Sequence, residues 1–584
     1  MKIVILSGGS GNDALVKGLE KFVGNRNDFD IKVIVNAYDN GKSTGVCRAV
    51  TNTLGVSDIR KNHSRMYEAV YGDNVDENLK EFYHGRYDFT KGNELDEVKN
   101  LLEKWNMPEY IPYAERFFAL PKAKDFEYKD FSVSNIVYAE MYREIGYEAT
   151  NKHFCDRMNI DDFVILNSFD NVYIKALTQS GYLIPDEGET VFWNNENDKI
   201  IKTVYDVENG SFGLNQRAID AVTDADLILV STGTFWSSIQ PTIEYLNFAQ
   251  YINQSKAKKI WLFNNEKDGD SWGVSSLEFI KFMEQSGLDL TDFTLLMNTD
   301  ANPLLRMTDD KHTFAFEAMG NEKGKHIPVE FAKGVFATYY GLSQDFDKIV
   351  FDFDDTIFAR NASEDVLKTS IENIKNINSN FADKAVIVSG NSYQSIREKL
   401  VHIFGENLAD FRLPIWADAN AILYVNDKPV DEIKEFALSK KSLGIINKFV
   451  QEYNLQDKTT MVGNENIYNV KIKPLATKER ETLTKIFENY GDKDCEARMT
   501  GKTTVDILNK SNNKANILSK ISRPDENVLF VGDENADGND KEIAKQSTYS
   551  IDVGSVNETN LLIKLLEAKD DSRINNLSRQ SIKI

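Results

Sequence analysis

The sequence predicts an α/β protein built from two Rossmann-type, doubly wound parallel-sheet domains, the second with an inserted α+β cap. Three observations carry that prediction. From residue 1 to about 340, short apolar runs alternate with amphipathic stretches, the pattern of strands and crossover helices in a parallel sheet. Further on, two apolar runs, Ile349-Val-Phe351 and Val528-Leu-Phe-Val531, each lead into a group of carboxylates. Between these regions lies a polar joint, Gly341-Leu-Ser-Gln-Asp-Phe-Asp347, rich in turn residues and without periodicity. The expected division is therefore 1–343, then 344–567 with a cap at about 420–505, then a polar tail over 568–584.

Size and composition agree with two domains. A chain of 584 residues is too long for one core, and 41% hydrophobic with 27% charged residues describes a globular protein. The net charge of −22 argues against nucleic acid or an anionic membrane as partner and leaves room for a local basic pocket that takes a small phosphate. Cys47, Cys155 and Cys495 are too scattered for a metal site or a disulfide framework, which fits a reducing cytoplasm. The chain opens on a strand rather than a signal peptide, and no apolar run approaches the roughly 20 residues that span a bilayer. A cytoplasmic protein is expected.

In order along the first domain, Lys2-Ile-Val-Ile-Leu6 is a strand and Leu15, Leu19, Phe22 and Val23 mark one face of the next helix. Ile31–Val35, Asp226–Val230, Lys259–Phe263 and Phe293–Met297 are further strands, and residues 70 to 130 form a helical insertion. The loop after the first strand holds Gly8, Gly9, Ser10 and Gly11, where backbone N–H groups and a helix N-terminus favour an anion. Taken alone, Gly9-x-Gly11-x-x-Ala14 with Asp39 also reads as a dinucleotide fingerprint. No hydride-handling constellation accompanies it.

In the second domain, Asp352 and Asp354 end one strand, and Gly532-Asp533 with Asp537 and Asp540 follow another. Buried carboxylates need a positive partner. Two such strand ends meeting at the carboxyl edge of one sheet suit Mg²⁺ and phosphoryl transfer. Ala385–Val388 is a strand leading into Ser389-Gly390-Asn391, and Lys514 opens a helical segment, with Lys510 as its rival. Asp355 reads as a cap of the next helix, and Thr356 either as a second cap or as part of the acidic motif. Strand-like pieces at Ala421–Val425, Tyr468–Ile472 and Thr503–Ile507 are assigned to the cap, whose roof over the site limits the substrate to a small phosphorylated metabolite.

Four pieces in chain order, Asp352-Phe-Asp354-Asp355-Thr356, Ser389-Gly390-Asn391, Lys514 and Gly532-Asp533 with Asp537 and Asp540, resemble the haloacid dehalogenase superfamily over residues 346 to 567. The Gly-Asn-Asp form of the last piece looks most like its sugar-phosphatase and phosphomannomutase branch. The resemblance implies that Asp352 is the nucleophile and Asp354 the general acid and base, with Ser389 and Lys514 on the phosphoryl group. It implies a Mg²⁺ site of Asp352, the Asp354 backbone carbonyl and Asp533, backed by Asp540 or by Asp537.

In the first domain, Asn36–Gly45, Gly55–Arg60, Ser132–Asn135, Tyr182–Glu189 and Ala225–Thr234 leading to Ser237–Pro241 resemble the 2-phospho-L-lactate transferase (CofD-like) family, which includes gluconeogenesis factors. This implies a nucleoside-diphosphate-linked donor or nucleotide sugar on the Gly8–Gly11 and Ser231–Ser238 loops, contacted through Gly233, Thr234 and Ser238. Asp39, Asn40, Ser43 and Asp58 would line the reacting end, and Asn135 would face nucleotide or acceptor. Asp39-Asn40 stands where relatives often carry adjacent aspartates, and Lys42 is an alternative source of positive charge. Arg60 and His63 read equally as helix-surface residues. The expected protein is a bifunctional phosphate-metabolism enzyme, or a nucleotide-sugar sensor gating the phosphatase, and a homodimer is compatible with either.

Overall fold

The computed structural model describes the chain apart from residues 10, 24–28, 210–211, 265–268, 299–312, 317–325, 341–345, 361, 464, 491–492, 501–502, 534–539 and 571–584. The described part divides into two compact units, Met1–Ser343 with residues 568–570, and Gln344–Glu567.

The first unit is built on seven strands: β1 (Lys2–Leu6), β2 (Asp30–Val35), β3 (Val164–Leu166), then, after β4 (Asn171–Thr178), β5 (Leu183–Ile184) and β6 (Ile200–Asn209), the strands β7 (Leu227–Val230), β8 (Lys258–Leu262), β9 (Phe293–Asn298) and β10 (Thr313–Phe316). The main sheet runs β10-β9-β8-β7-β1-β2-β3, and all of its pairs are parallel. Its order reverses at β1, so loops after β1 and β7 open a crevice at the carboxyl edge. Ile3, Val4, Ile5 and Leu6 are all buried, as expected of a central strand covered on both faces. A second sheet, antiparallel β5-β4-β6, was not foreseen.

Helices α1 (Asp13–Val23), α2 (Lys42–Thr51) and α3 (Ser57–Tyr71) follow the first two strands. The insertion supplies α4 (Glu77–His84), α5 (Glu94–Lys104) and α6 (Ile111–Ala119), and α7 (Val133–Ile145) and α8 (Tyr147–Met158) return to the sheet. Aromatic stacking ties these helices together: the Tyr138 and Phe154 rings lie 3.9 Å apart and nearly parallel, and Phe82 stacks on Tyr110 at 5.5 Å.

The second unit holds β11 (Lys348–Asp352), β12 (Ala385–Val388), β13 (Ile415–Ala417), β14 (Ile422–Val425), β15 (Lys428–Glu432), β16 (Thr459–Gly463), β17 (Ile467–Ile472), β18 (Cys495–Thr500), β19 (Thr504–Asn509), β20 (Val528–Gly532) and β21 (Tyr549–Asp552). Its main sheet runs β15-β14-β13-β12-β11-β20-β21. The strand read as part of the cap at Ala421–Val425 belongs here instead: β14 pairs antiparallel with β13 and makes a hairpin with β15 through the Asn426-Asp427 turn. Both turn residues have positive φ, which suits Asn and Asp, and the tight hairpin extends the sheet edge before the chain leaves it. The roof proper is the antiparallel sheet β16-β17-β19-β18 with helices Lys440–Glu452 and Thr477–Glu488 packed on it through Ile446, Phe449, Phe487, Val470 and Ile507.

Candidate active sites

The sheet order of the second unit places β11 between β12 and β20, with Phe351 opposite Ile387 and Val531. The ends of these three adjacent strands therefore set Asp352, Ser389 and Asp533 along one carboxyl edge. Carboxylate oxygens of Asp352, Asp533 and Asp540 lie within 4.8 Å of one another. Lys514, at the start of a short 3-10 turn, is buried among them and donates to Asp352 Oδ1 at 2.5 Å and to Asp540 Oδ1.

One ammonium faces more negative charge than it can balance. Burial, opposed by Lys514 and reinforced by Asp540 and Asp533, pushes the Asp352 carboxyl well above the usual range. Burial opposes the charge on Lys514, but Asp352 and Asp540 more than offset it, and its pKa lies above that of an ordinary lysine. Asp540 Oδ2 is buried without a hydrogen-bond partner among the described residues. Three hard oxygen donors, an excess of negative charge and an orphaned oxygen fit a Mg²⁺ ion. Asp537, the alternative to Asp540, lies outside the described residues.

The Asp354 side chain is not one of the three clustered carboxylates. Its Oδ1 accepts from Lys399 Nζ at 2.8 Å and its Oδ2 from Asn391 Nδ2. Lys399 is held in turn over the Phe353 and Phe358 rings, 4.9 Å from each centroid. Ser389 Oγ accepts the Asn391 backbone N–H, and the loop Ser389-Gly390-Asn391 leads to Ser392, which caps helix Tyr393–Phe404. These groups line a cavity of about 260 Å³ whose other wall comes from the roof: Lys471, Lys473, Thr500, Thr504 and Asp506.

Two expectations need correction here. Asp355 does not cap the next helix, which begins at Glu364 behind Ser363; it has φ 60° and accepts from Arg360 at 2.8 and 2.5 Å. Thr356 donates to Asp533 Oδ1 at 3.2 Å, tying the two acidic loops together instead of capping a helix. Lys510, the rival to Lys514, is exposed and donates to the Lys493 carbonyl. Sequence reasoning missed Lys399 and Lys471 because each lies inside an element whose register brings it to the site, with no motif around it.

In the first unit, the glycine loop after β1 is packed against the N-terminal end of α3 and the loop after β7. A Cβ on Gly9 would fall 2.1 Å from Asp58 Oδ1, and one on Gly11 would fall 1.9 Å from the Thr232 carbonyl oxygen. Only glycine permits these approaches. Gly8 lies against the Ser238 side chain, and Ser10 is outside the described residues. Asn62 locks the loop by donating to the Gly8 and Asp58 carbonyls. Gly233 has φ 143° and exchanges two hydrogen bonds with the Asn264 amide, and Thr234 and Ser238 hydroxyls meet at 3.0 Å.

Asp39 Oδ1 accepts the Gly41 N–H at 2.9 Å and its Oδ2 accepts from Thr44. Buried Arg48 fixes this turn by donating to the Tyr38 and Asp39 carbonyls. The Asn40 backbone carbonyl lies against Gly45 within the first turn of α2. Asn135 donates to Ser43 Oγ at 2.9 Å, and its Oδ1 is buried without a partner among the described residues. Glu187, missed as a site residue although it lies inside the Tyr182–Glu189 segment, joins this group. Burial, Asp39 and Asp58 hold its carboxyl well above the usual range, with Lys61 opposing. Burial likewise raises Asp58, against Lys61 at 3.5 Å.

Lys42 is not free for a ligand; it pairs with Asp130 at 2.7 Å. Arg60 and His63 are buried, not on the helix surface. Arg60 donates to the Tyr83 carbonyl, and His63 is held between Tyr138 Oη at 2.8 Å and Asn151 Oδ1 at 2.6 Å. Helices α1, α4, α7 and α8 and strands β2 and β3 all pack against α3, which a reading of α3 alone does not reveal.

Residues 3–325 match the family model described as 2-phospho-L-lactate transferase CofD. Among characterised and catalogued proteins, the chain is similar to the gluconeogenesis factor of Listeria monocytogenes, 24% identical over 324 residues that cover 55% of this chain and 85% of that protein. It is also similar to a protein named putative gluconeogenesis factor from Aquifex aeolicus, 22% identical over 52% of this chain and 81% of that one. Among solved structures, a haloacid dehalogenase-like hydrolase from Bacteroides thetaiotaomicron aligns at 12% identity and a TM-score of 0.30, covering 38% of this chain and 99% of that chain.

Proposed function

The chain belongs, through residues 3–325, to the 2-phospho-L-lactate transferase CofD family, and from that premise we propose a bifunctional enzyme of phosphate metabolism. Its C-terminal unit is a Mg²⁺-dependent, haloacid dehalogenase-type phosphatase of a small phosphorylated metabolite. Its N-terminal unit moves a phospho-metabolite from a nucleoside-diphosphate-linked donor to an acceptor hydroxyl.

The observation that carries the phosphatase reading is the meeting of Asp352, Asp533 and Asp540 around Lys514, from strand ends about 180 residues apart in sequence. Asp352, Asp533 and Asp540 would hold Mg²⁺, with the Asp354 backbone carbonyl, and the bound ion would supply charge neutralisation for an anionic ester. Lys514 aligns the Asp352 carboxylate. An Asp352 oxygen bonds to phosphorus as the ester P–O bond breaks, and Asp354 passes a proton to the departing oxygen. Asp354 then takes a proton from water, whose oxygen bonds to phosphorus and displaces Asp352. The Ser389 hydroxyl and the loop at the N-terminus of helix Tyr393–Phe404 favour the phosphoryl oxygens.

In the N-terminal unit, the glycine loop and the Gly233–Ser238 loop would take the donor's phosphates, with Asp39, Asn40, Ser43, Asp58 and Asn135 around the reacting end. A second reading is favoured by the name of the Listeria relative, a gluconeogenesis factor rather than a transferase: this unit binds a nucleotide sugar without turnover and regulates the phosphatase.

Phosphate release from a panel of phosphorylated metabolites, with Mg²⁺ or with EDTA, tests the first half. Asp352→Asn is expected to lose at least about 1,000-fold in rate while keeping its fold, as expected when a covalent nucleophile is removed. Undiminished release by that variant, or by the wild type in EDTA, refutes the reading. Thermal-shift binding of nucleotide sugars followed by an assay of donor consumption separates transferase from sensor.

A further inference from the structure

The wall of the cavity supplied by the roof is connected to Asp354. Asn391 stands between them. Its Nδ2 donates to Asp354 Oδ2, and its Oδ1 accepts from Lys471 Nζ at 3.0 Å. Lys471 comes from β17 of the roof, and Asp506, directly paired with it across β17 and β19, lies 3.9 Å away through Oδ2. Asp506 is buried, and its Oδ1 lacks a hydrogen-bond partner among the described residues. A primary amide can turn over and present oxygen where nitrogen was. Turned over, Asn391 would set a carbonyl oxygen against the Asp354 carboxylate. An ammonium on Oδ1 forbids that orientation.

We propose that Lys471, held by Asp506, is a positioning residue through which the roof sets the Asn391 amide and, by it, the Asp354 carboxyl. This rests on the phosphatase reading and adds to it a route by which the roof reaches the acid–base group. The step most exposed to it is the second. In the first, an Asp352 oxygen bonds to phosphorus and the ester bond breaks; with p-nitrophenyl phosphate the leaving phenolate departs without needing a proton. In the second, Asp354 must take a proton from water as the new P–O bond forms and the bond to Asp352 breaks. A mispositioned Asp354 therefore leaves Asp352 phosphorylated.

Rapid mixing of the full chain with p-nitrophenyl phosphate and Mg²⁺ tests this. Lys471→Met is expected to lower kcat about 10- to 100-fold, less than the roughly 100- to 10,000-fold lost when acid–base catalysis is removed outright, and to give a burst of about one nitrophenolate per active site before the slow phase. Lys471→Arg, which keeps a donor, should recover most of the loss and show a smaller burst. Because Lys471→Met strands the Asp506 charge, Lys471→Met with Asp506→Asn carries the same expectation without that charge. An unchanged kcat, or a loss confined to KM, or a loss without a burst in both of these variants, overturns the positioning role. A wild type that releases no nitrophenolate overturns the phosphatase reading and the inference with it.

Discussion

Lys514 shows how much the chemistry of one residue depends on where the fold sets it. On a surface it would be a solvated lysine; here its ammonium bridges Asp352 and Asp540. Lys514→Met leaves those carboxylates facing each other, and a loss of about 3 kcal/mol is expected, in the range for breaking a buried ion pair. Urea unfolding in EDTA should show that loss, and Mg²⁺ should recover part of it; an identical loss with and without Mg²⁺ argues against a cation at this cluster. His63 gives a pH signature. Burial pushes its pKa from 6.5 to about 4, with Asn151 and Asp162 opposing. Below pH 6.5 the unfolded chain binds a proton that the folded chain refuses until about pH 4. The stability this site contributes is full above pH 6.5 and falls as pH drops, by about 2 kcal/mol at pH 5. His63→Gln should flatten that dependence, and a slope equal to the wild type's counts against it.

Strand ends and glycine loops carry the sites at the next scale. Gly11→Ala drives a methyl into the Thr232 carbonyl oxygen, a backbone atom that cannot swing aside. A destabilisation of about 1–3 kcal/mol by denaturant titration is expected, with weakened nucleotide binding; a neutral effect on both would show that the two loops are not packed as described. Much of this level was legible beforehand. β1, β2, β7, β8 and β11 stand where apolar runs predicted them, because a strand buried on both faces leaves a nearly continuous hydrophobic stretch. The strand at Ala421–Val425 reads as part of the cap but joins the main sheet, because short strands declare their existence but not their partner. β15 is mostly exposed and polar, so no hydrophobic face marked its sheet. That Asp352, Ser389 and Asp533 would lie at one sheet edge was legible because each ends a strand with a recognisable turn, whereas Lys514 had no motif to set it apart from Lys510. Lys399 and Lys471 were not legible, since their contacts arise from which face of a helix meets Asp354 and which face of a strand meets Asn391. Glu187 was not legible either, because an acidic residue among others in one loop gives no sign that it will be the buried one.

On the whole chain, the two constellations proposed to handle phosphate occupy separate compact units. No helix among the described residues is long and apolar enough to cross a membrane. Separate cores predict separable chemistry. Asp352→Asn should leave the thermal shift produced by a nucleotide sugar unchanged if the two halves only share a chain, whereas a nucleotide sugar that alters wild-type phosphate release would support the sensor reading. Above all, Asp352 should supply the oxygen that phosphorus meets first. The direct measurement is a single-turnover reaction with a labelled phosphate ester and Mg²⁺, quenched in acid and mapped by peptide mass spectrometry. The predicted result is label on Asp352 in the wild type and none in Asp352→Asn. Label on another residue, or rapid turnover with no labelled enzyme at any time, would contradict it.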